Sequence, residues 1–297
     1  MDSKFQIISD GSCDLPPELA KEKGIRVVPF YVSFDGEHYQ KETEEIGVRD
    51  FYRKMVDNPG LYPKSSLPSV QDYADAFELY AREGIPLLVI CITTKFSGSM
   101  QSALNARELL LESYPQAKIH VMDAMVNTVL QGLLVLEAAA LRDRGCTLEE
   151  AAARIEQIRG TGRIFFTVGD IEYLKAGGRI GKVAGIAGTL LGVKPVITLK
   201  EGEIFPSGIG RSRKKTMEKT VALLEHYLEE AGGEIGRFSI AVGFGYDQKE
   251  AEGYRDMVLE RLRSRFGLDS LPIYQIGATI GVHTGPYPVG LGIIERA

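Results

Sequence analysis

The sequence predicts an α/β protein of two domains, the first built on a mainly parallel sheet. Three observations carry this. The chain has 297 residues, long for one core and suited to two units of about 150. Short β-branched runs alternate with helical patterns, and apolar strands separated by helices pair mainly in parallel. The turn sequence GTGR at 160–163 follows a long pair of helices, which sets the boundary and gives domains 1–160 and 161–297.

The elements follow in order. FQIIS (5–9) reads as the first strand, and Asp14 ahead of Pro16, Pro17 and Glu18 reads as the cap and first turn of a short helix. RVVPFYVSF (26–34) is the second strand. Ser69 and Asp72 open VQDYADAFELYARE with a capping box. PLLVICI (86–92) is an apolar strand, followed after residue 97 by a helical pattern. KIHVMD (118–123) is a strand, residues 124–144 form a long helix apolar on one face, and Thr147 with Glu150 caps LEEAAARIEQIR. RIFFTV (163–168), PVITL (195–199), FSIAVGF (238–244), PIYQI (272–276) and GIIER (292–296) are the remaining strands. Residues 213–230 and 248–266 are amphipathic and highly charged, the pattern of surface helices.

Hydrophobic residues make up 44% of the chain and charged residues 25%, an ordinary balance for a soluble globular protein. A net charge of −5 argues against nucleic acid as a partner. Cys13, Cys91 and Cys146 are widely spaced and odd in number, which fits a reducing compartment. The opening MDSKFQIISD has no charged leader ahead of an apolar run. The longest weakly charged stretch, VAGIAGTLLGV (183–193), is far short of the roughly 20 residues of a membrane span. The expected location is the cytoplasm.

The chemistry concentrates in a few stretches. In ITTKFSGSMQSALNA (92–106) an apolar strand ends in hydroxyls around Gly98 and a helix begins. Ligands of open α/β sheets sit beyond the carboxyl ends of the strands, and a first helical turn offers unpaired N–H groups. Two readings stand here. Ser97 or Ser99 caps the helix, or Ser97 and the Gly98 backbone receive an anion. KSSLPS (64–69) brings Ser65 and Ser66 into a loop before a helix; alone this is turn chemistry. GVHTGPYPVG (281–290) has glycines and prolines expected to exclude a regular element, and carries His283, a candidate anion donor, general base or plain surface residue. Asp10 and Asp14, four apart, are either an acid–base or metal pair or a loop tie and a helix cap. LKAGGRI (174–180) and GIGRSRKK (208–215) set Arg179 and Arg211 beside glycines, for an anionic partner or as solvated loop and helix starts.

Enzyme templates are absent: the sequence has no GxxxxGK[ST], no GxGxxG after a strand, no GxSxG and no HExxH. Binding is therefore favoured over catalysis. The alternative is a small-molecule hydrolase or transferase using Asp10, Asp14 and His283.

Taken in order, ISDGSCDLP, KSSLPS, TTKFSGSMQSA, LKAGGRI, KPVITLKEGEI, GRSRKK and HTGP resemble the DegV family, the fatty-acid-binding subunits of bacterial fatty acid kinase. They run from residue 8 to residue 286. The resemblance implies two α/β domains with a long-chain fatty acid between them, its carboxylate on hydroxyls and its tail in an apolar tunnel. It matches Ser97 to the family's carboxylate-binding serine, and Ser65 and Ser66 to the threonine and serine of the usual Thr-Ser-Gln-Pro-Ser. His283 matches the histidine of His-x-Gly-Pro-Gly. Leu67 departs from the glutamine and Tyr287 from the last glycine. The expected ligand set is thus Ser65, Ser66, Ser97, Gly98 and His283, with Arg179 and Arg211 facing a partner or a phosphoryl group. No metal and no other cofactor is expected. The implied partners are the fatty acid, a separate ATP-dependent kinase and, transiently, a membrane surface; the chain itself would not be the catalyst. A tail of about 15 methylenes at roughly 0.8 kcal/mol each gives a large gross transfer term before the costs of binding. GKVAGIAGTLLGV (181–193) suits either a wall along the acyl chain or helix packing.

Overall fold

The structure is a computed structural model that describes residues 5–187 and 194–297. In chain order its elements are β1 (Gln6–Asp10), α1 (Pro17–Glu22), β2 (Ile25–Val28), β3 (Tyr31–Ser33), β4 (Gln40–Lys41), α2 (Val48–Asp57), β5 (Lys64–Ser66), α3 (Val70–Ala81), β6 (Leu87–Cys91), α4 (Ser99–Ser113), β7 (Ile119–Asp123), α5 (Thr128–Asp143), α6 (Leu148–Arg159), β8 (Arg163–Thr167), α7 (Glu172–Ala176), α8 (Ala184–Ala187), β9 (Lys194–Lys200), β10 (Glu203–Gly210), α9 (Arg213–Glu230), β11 (Phe238–Phe244), α10 (Gln248–Phe266), β12 (Ile273–Gln275), α11 (Ala278–Thr284) and β13 (Val289–Glu295).

The N-terminal half carries an all-parallel sheet in the order β2-β1-β6-β7. Its centre reads as a continuous apolar run because both faces are covered: every residue of β6 is buried. Ile8 and Val89 face α3 and α4 through Tyr73, Phe77 and Ala106. Ile7, Leu88 and Ile90 face α5 and α6 through Leu130, Leu134 and Ile155, the alternation that a period of two requires. The expected capping boxes are present: Ser69 with Asp72, and Thr147 with Glu150.

The C-terminal half forms a second sheet, β10-β9-β8-β13-β11-β12, antiparallel except for the β11–β12 pair. Helices α9 and α10 cover one face with Val221, Leu224, Val258 and Leu262. The other face, with Ile164, Leu199 and Ala241, joins the same core as α5. Every residue of α5 from Thr128 to Val135 is buried, as expected of a helix with a sheet on either side. Glycines allow its approach. A Cβ at Gly292 would stand 3.2 Å from Leu130 Cβ, and one at Gly243 would stand 3.2 Å from both Val129 methyls.

A small antiparallel sheet, β4-β3-β5, packs with α2 and α11 around Val32, Phe51, Tyr52, Met55 and Val282.

Several local expectations change. RVVPFYVSF is two strands in two different sheets, broken around Pro29, which has no N–H for a ladder. KSS, read as loop, is β5. The unexpected β10 contains Pro206, tolerated because the strand is an edge and shifts register between Pro206 and Gly208. Asp14 is no helix cap: it lies in the left-handed region at φ 49°, and Pro16 precedes α1 with no side-chain cap. Residues 281–290 are largely regular, since Gly281–Thr284 end α11 and Val289 and Gly290 begin β13. Of the small-residue stretch 181–193, residues 188–193 lie outside the described residues.

Candidate functional site

A cavity of about 230 Å³ lies between the two sheets. Its floor is the inner face of the second sheet, from Ile164 and Phe166 of β8 to Leu199 of β9, Gly243 of β11 and Gly290 of β13. Its roof is the carboxyl end of the parallel sheet, where Ile92 and Phe96 follow β6 and Val129 opens α5. Helix α11 closes one side with Thr279, Ile280, His283 and Thr284.

Besides Asn127, Thr128, Thr279 and Thr284, five further polar residues line the wall. Ser65 and Ser66 come from β5, Ser97 from the turn before α4, His283 from the last turn of α11 and Arg179 from the loop after α7. Ser65 Oγ stands 3.1 Å from His283 Nε2. Ser97 Oγ accepts the Ser99 N–H at 3.2 Å, and among the described residues its own proton has no acceptor. Ser99 is fully committed elsewhere: its hydroxyl donates to Asp10 at 2.7 Å and lies 2.7 Å from the Tyr73 hydroxyl. Of the two readings of the turn, Ser99 is structural and Ser97 is left with a proton to give. Thr93 and Thr94 donate to Gly202 and Asp123.

His283 is neutral at physiological pH. Burial, reinforced by the charge of Arg179, lowers its pKa from 6.5 to about 4. Its Nδ1 is buried and has no hydrogen-bond partner among the described residues; it faces Gly177, where any side-chain carbon would overlap the ring. With the proton on Nε2, the histidine donates to Ser65 Oγ and the serine proton is released towards the cavity. The Arg179 guanidinium is exposed at the rim. It donates to Phe96 O at 3.0 and 3.2 Å and to Gly177 O at 2.7 Å, tying the AGGR loop to the Ser97 turn.

Other sequence candidates fall outside the cavity. Arg211 is exposed just ahead of α9 and does not line it. Asp10 is fully buried and accepts from Ile92 N, Ser99, Ser12 and Gln131 at 2.7–2.9 Å; burial raises its pKa. Asp14 accepts from Thr128 Oγ1 at 2.5 Å. Neither aspartate faces the cavity, so the structure does not bring Asp10, Asp14 and His283 together. Among the described residues no group of three or more His, Cys, Asp or Glu is placed to hold a metal ion, and no helix is long and apolar enough to cross a membrane.

Sequence reading missed Glu42, 3% exposed, whose carboxylate accepts from Ala278 N, from Thr279 N and from Thr279 Oγ1 at 2.7 Å. It fixes the start of α11, the helix that carries His283. Within the charged run KETEE nothing marks it as different from its solvated neighbours.

Comparison with known proteins is consistent across the whole chain. The family model described as uncharacterised protein, DegV family, matches residues 4–296. A DegV domain-containing protein of Clostridium perfringens is 30% identical over 292 residues, covering 98% of this chain and 99% of the relative. The crystal structure of a stearic-acid-binding protein from Eubacterium ventriosum is 44% identical with a TM-score of 0.93, covering 98% of each chain. A DegV family protein from Thermus thermophilus, described by its fatty acid binding, is 31% identical with a TM-score of 0.85, covering 98% of this chain and 99% of that one.

Proposed function

The chain belongs to the DegV family, and on that footing we propose that it is a carrier that holds a long-chain fatty acid in the cavity between its sheets. The observation that carries the reading is the make-up of the cavity wall. Hydroxyls of Ser65, Ser66 and Ser97 line it together with His283, and Phe30, Ile92, Ile164, Phe166, Leu199 and Ile276 supply much of its apolar surface, with Asn127, Thr128, Thr279 and Thr284 as further polar lining. A carboxylate needs donors once it leaves water, and an acyl tail needs none. The ligand is the one that relatives of 44% and 31% identity are described as binding.

The head-group chemistry follows from His283. A neutral imidazole orders the Ser65 hydroxyl without supplying a buried positive charge. The carboxylate is then held by hydroxyls and the backbone at Gly98 rather than by an ion pair, which leaves an oxygen available to react. The carrier presents that oxygen at the rim, beside Arg179, to a separate ATP-dependent kinase that forms the acyl phosphate. Arg179 and the more remote Arg211 serve that docking or face the phosphoryl group. The chain works in the cytoplasm, touches a membrane surface only transiently to exchange its ligand, and is not itself the catalyst. Its halves, 1–160 and 161–297, act as the two domains that enclose the ligand.

The test has two stages. Mass spectrometry of an organic extract of denatured protein should return one fatty acid per chain; protein that carries none and takes up none ends the carrier reading. Purified protein with labelled ATP and fatty acid should form no acyl phosphate until a separate kinase is added. Formation by the chain alone overturns the division of labour.

A further inference from the structure

Two glycines stand opposite each other in the cavity floor: Gly243 of β11 pairs with Gly290 of β13, and both line the cavity. Neither has a positive φ, so the backbone does not call for glycine there, and a strand interior disfavours it. Glycine inside a strand commonly marks a close approach by a ligand or another backbone. At Gly290 the close approach is internal, because a Cβ would stand 2.5 Å from Phe166 Cβ and 2.6 Å from Phe165 O. Gly243 is different. A Cβ there would meet only side chains, both Val129 methyls at 3.2 Å and Ile276 Cγ1 at 3.4 Å, and Val129 and Ile276 themselves face the cavity.

The helix and the cavity share this floor. Along the inner face, Gly292 lies under Leu130 of α5, so the helix occupies that part of the sheet. Gly243 lies under Val129, where α5 begins, and lines the free volume. Val129, 2% exposed, is therefore the partition between packed helix and open cavity. Gly243 and Ile276 stand beside it with apolar surface, Asn127 and Thr128 precede it in the lining, and Ser65, Ser97, His283 and Arg179 come from other elements.

We propose that Gly243, with Val129 and Ile276, forms the stop that sets the length of acyl chain the cavity accepts. This rests on the carrier reading and deepens it. A methyl added at residue 243 would displace Val129 by a few tenths of an ångström or fill the stop itself. A smaller residue at 129 would lengthen the free volume.

The experiment is competitive loading of the full chain with a graded series of saturated fatty acids, followed by extraction and mass spectrometry. It compares wild type, Gly243→Ala, Val129→Ala and the surface control Leu109→Ala. One methylene against a tight apolar wall is worth about tenfold in discrimination. The ratio of the longest to the next shorter bound acid is expected to fall about tenfold in Gly243→Ala and to rise in Val129→Ala. Leu109→Ala should match wild type. If Gly243→Ala does not fold, Val129→Ala alone decides, since it removes atoms rather than adding them. Loaded variants whose chain-length profile equals that of wild type overturn the stop while leaving the carrier reading intact. Wild type that carries no acid overturns the carrier reading and the stop with it.

Discussion

Ser65 and His283 are 218 residues apart in the chain and 3.1 Å apart in space, hydroxyl oxygen to Nε2. One lies on the edge strand β5 of the small sheet and the other at the end of α11, so the pair exists only when both structures are docked. If the pair receives a head group as proposed, that recognition is conditional on the tertiary fold.

The hydroxyls should carry the head group. Hydrogen bonds to a charged group are worth about 1.5–3 kcal/mol each, so Ser97→Ala and Ser65→Ala should each weaken fatty acid binding by roughly 10- to 150-fold with little change in melting temperature. Titration with a fluorescent fatty acid measures this. Unchanged affinity in the double variant would remove the serines from the site.

Adjacent glycines in LKAGGRI should behave differently. Gly177→Ala places a methyl on His283, so binding should fall along with stability. Gly178→Ala meets nothing within 4 Å but sits at φ +68°, so it should cost about 1 kcal/mol in stability and leave affinity intact. Chemical denaturation and ligand titration on both variants separate the two effects; equal loss of affinity would show the histidine contact to be irrelevant.

His283 should make the empty protein acid-sensitive. Its folded pKa of about 4 lies below the ordinary 6.5, so the unfolded chain binds the extra proton first. Stability is complete above about 6.5 and is lost as pH falls from there through about 4, by roughly 3 kcal/mol in total. A bound carboxylate opposes this by stabilising the imidazolium. Denaturation midpoints at pH 7 and pH 5 should therefore differ for empty wild type, differ less for loaded protein, and differ least for His283→Gln. An equal slope in His283→Gln would assign the acid sensitivity elsewhere.

What the sequence revealed and what it hid divide along local and non-local lines. The capping boxes at Ser69 and Thr147 and the buried strand β6 were legible because a few neighbouring residues determine them. The Ser97 turn was legible as a strand-to-helix junction because a strand, a glycine and a helix start are contiguous. Residues 281–290 misled because the α11 backbone is held by Glu42, more than two hundred positions away, which outweighs the local tendency of glycine and proline to break structure. β5 was hidden because a three-residue edge strand takes its identity from its partner β3. Asp14 looked like a cap because Pro16 and Pro17 follow it, yet its carboxylate turns inward to Thr128.

Asp14 and Glu42 offer the last prediction. A Cβ built on Gly277 would run into both carboxylates, so the two acids converge at the start of α11. They cannot both be charged at low cost. Burial raises the pKa of Glu42, and the two backbone N–H groups and one hydroxyl that it accepts oppose that rise. Asp14 accepts one hydroxyl, and burial and the neighbouring Glu42 charge push it well above its ordinary 3.8. Asp14, with the larger rise, is the member expected to hold the proton. Because its folded pKa is raised, its contribution to stability falls as pH rises from about 3.8 through the folded value. Asp14→Asn keeps an acceptor for Thr128 and removes the titration. It should keep the fold and fatty acid binding and flatten the decline of stability towards alkaline pH. Glu42→Gln removes the charge that its three donors address and should cost about 2–4 kcal/mol, weakening binding through the displaced α11. Denaturation curves across pH 5 to 9 on both variants decide the assignment. If Asp14→Asn were the costly change and Glu42→Gln the mild one, the charge would sit on Asp14 instead.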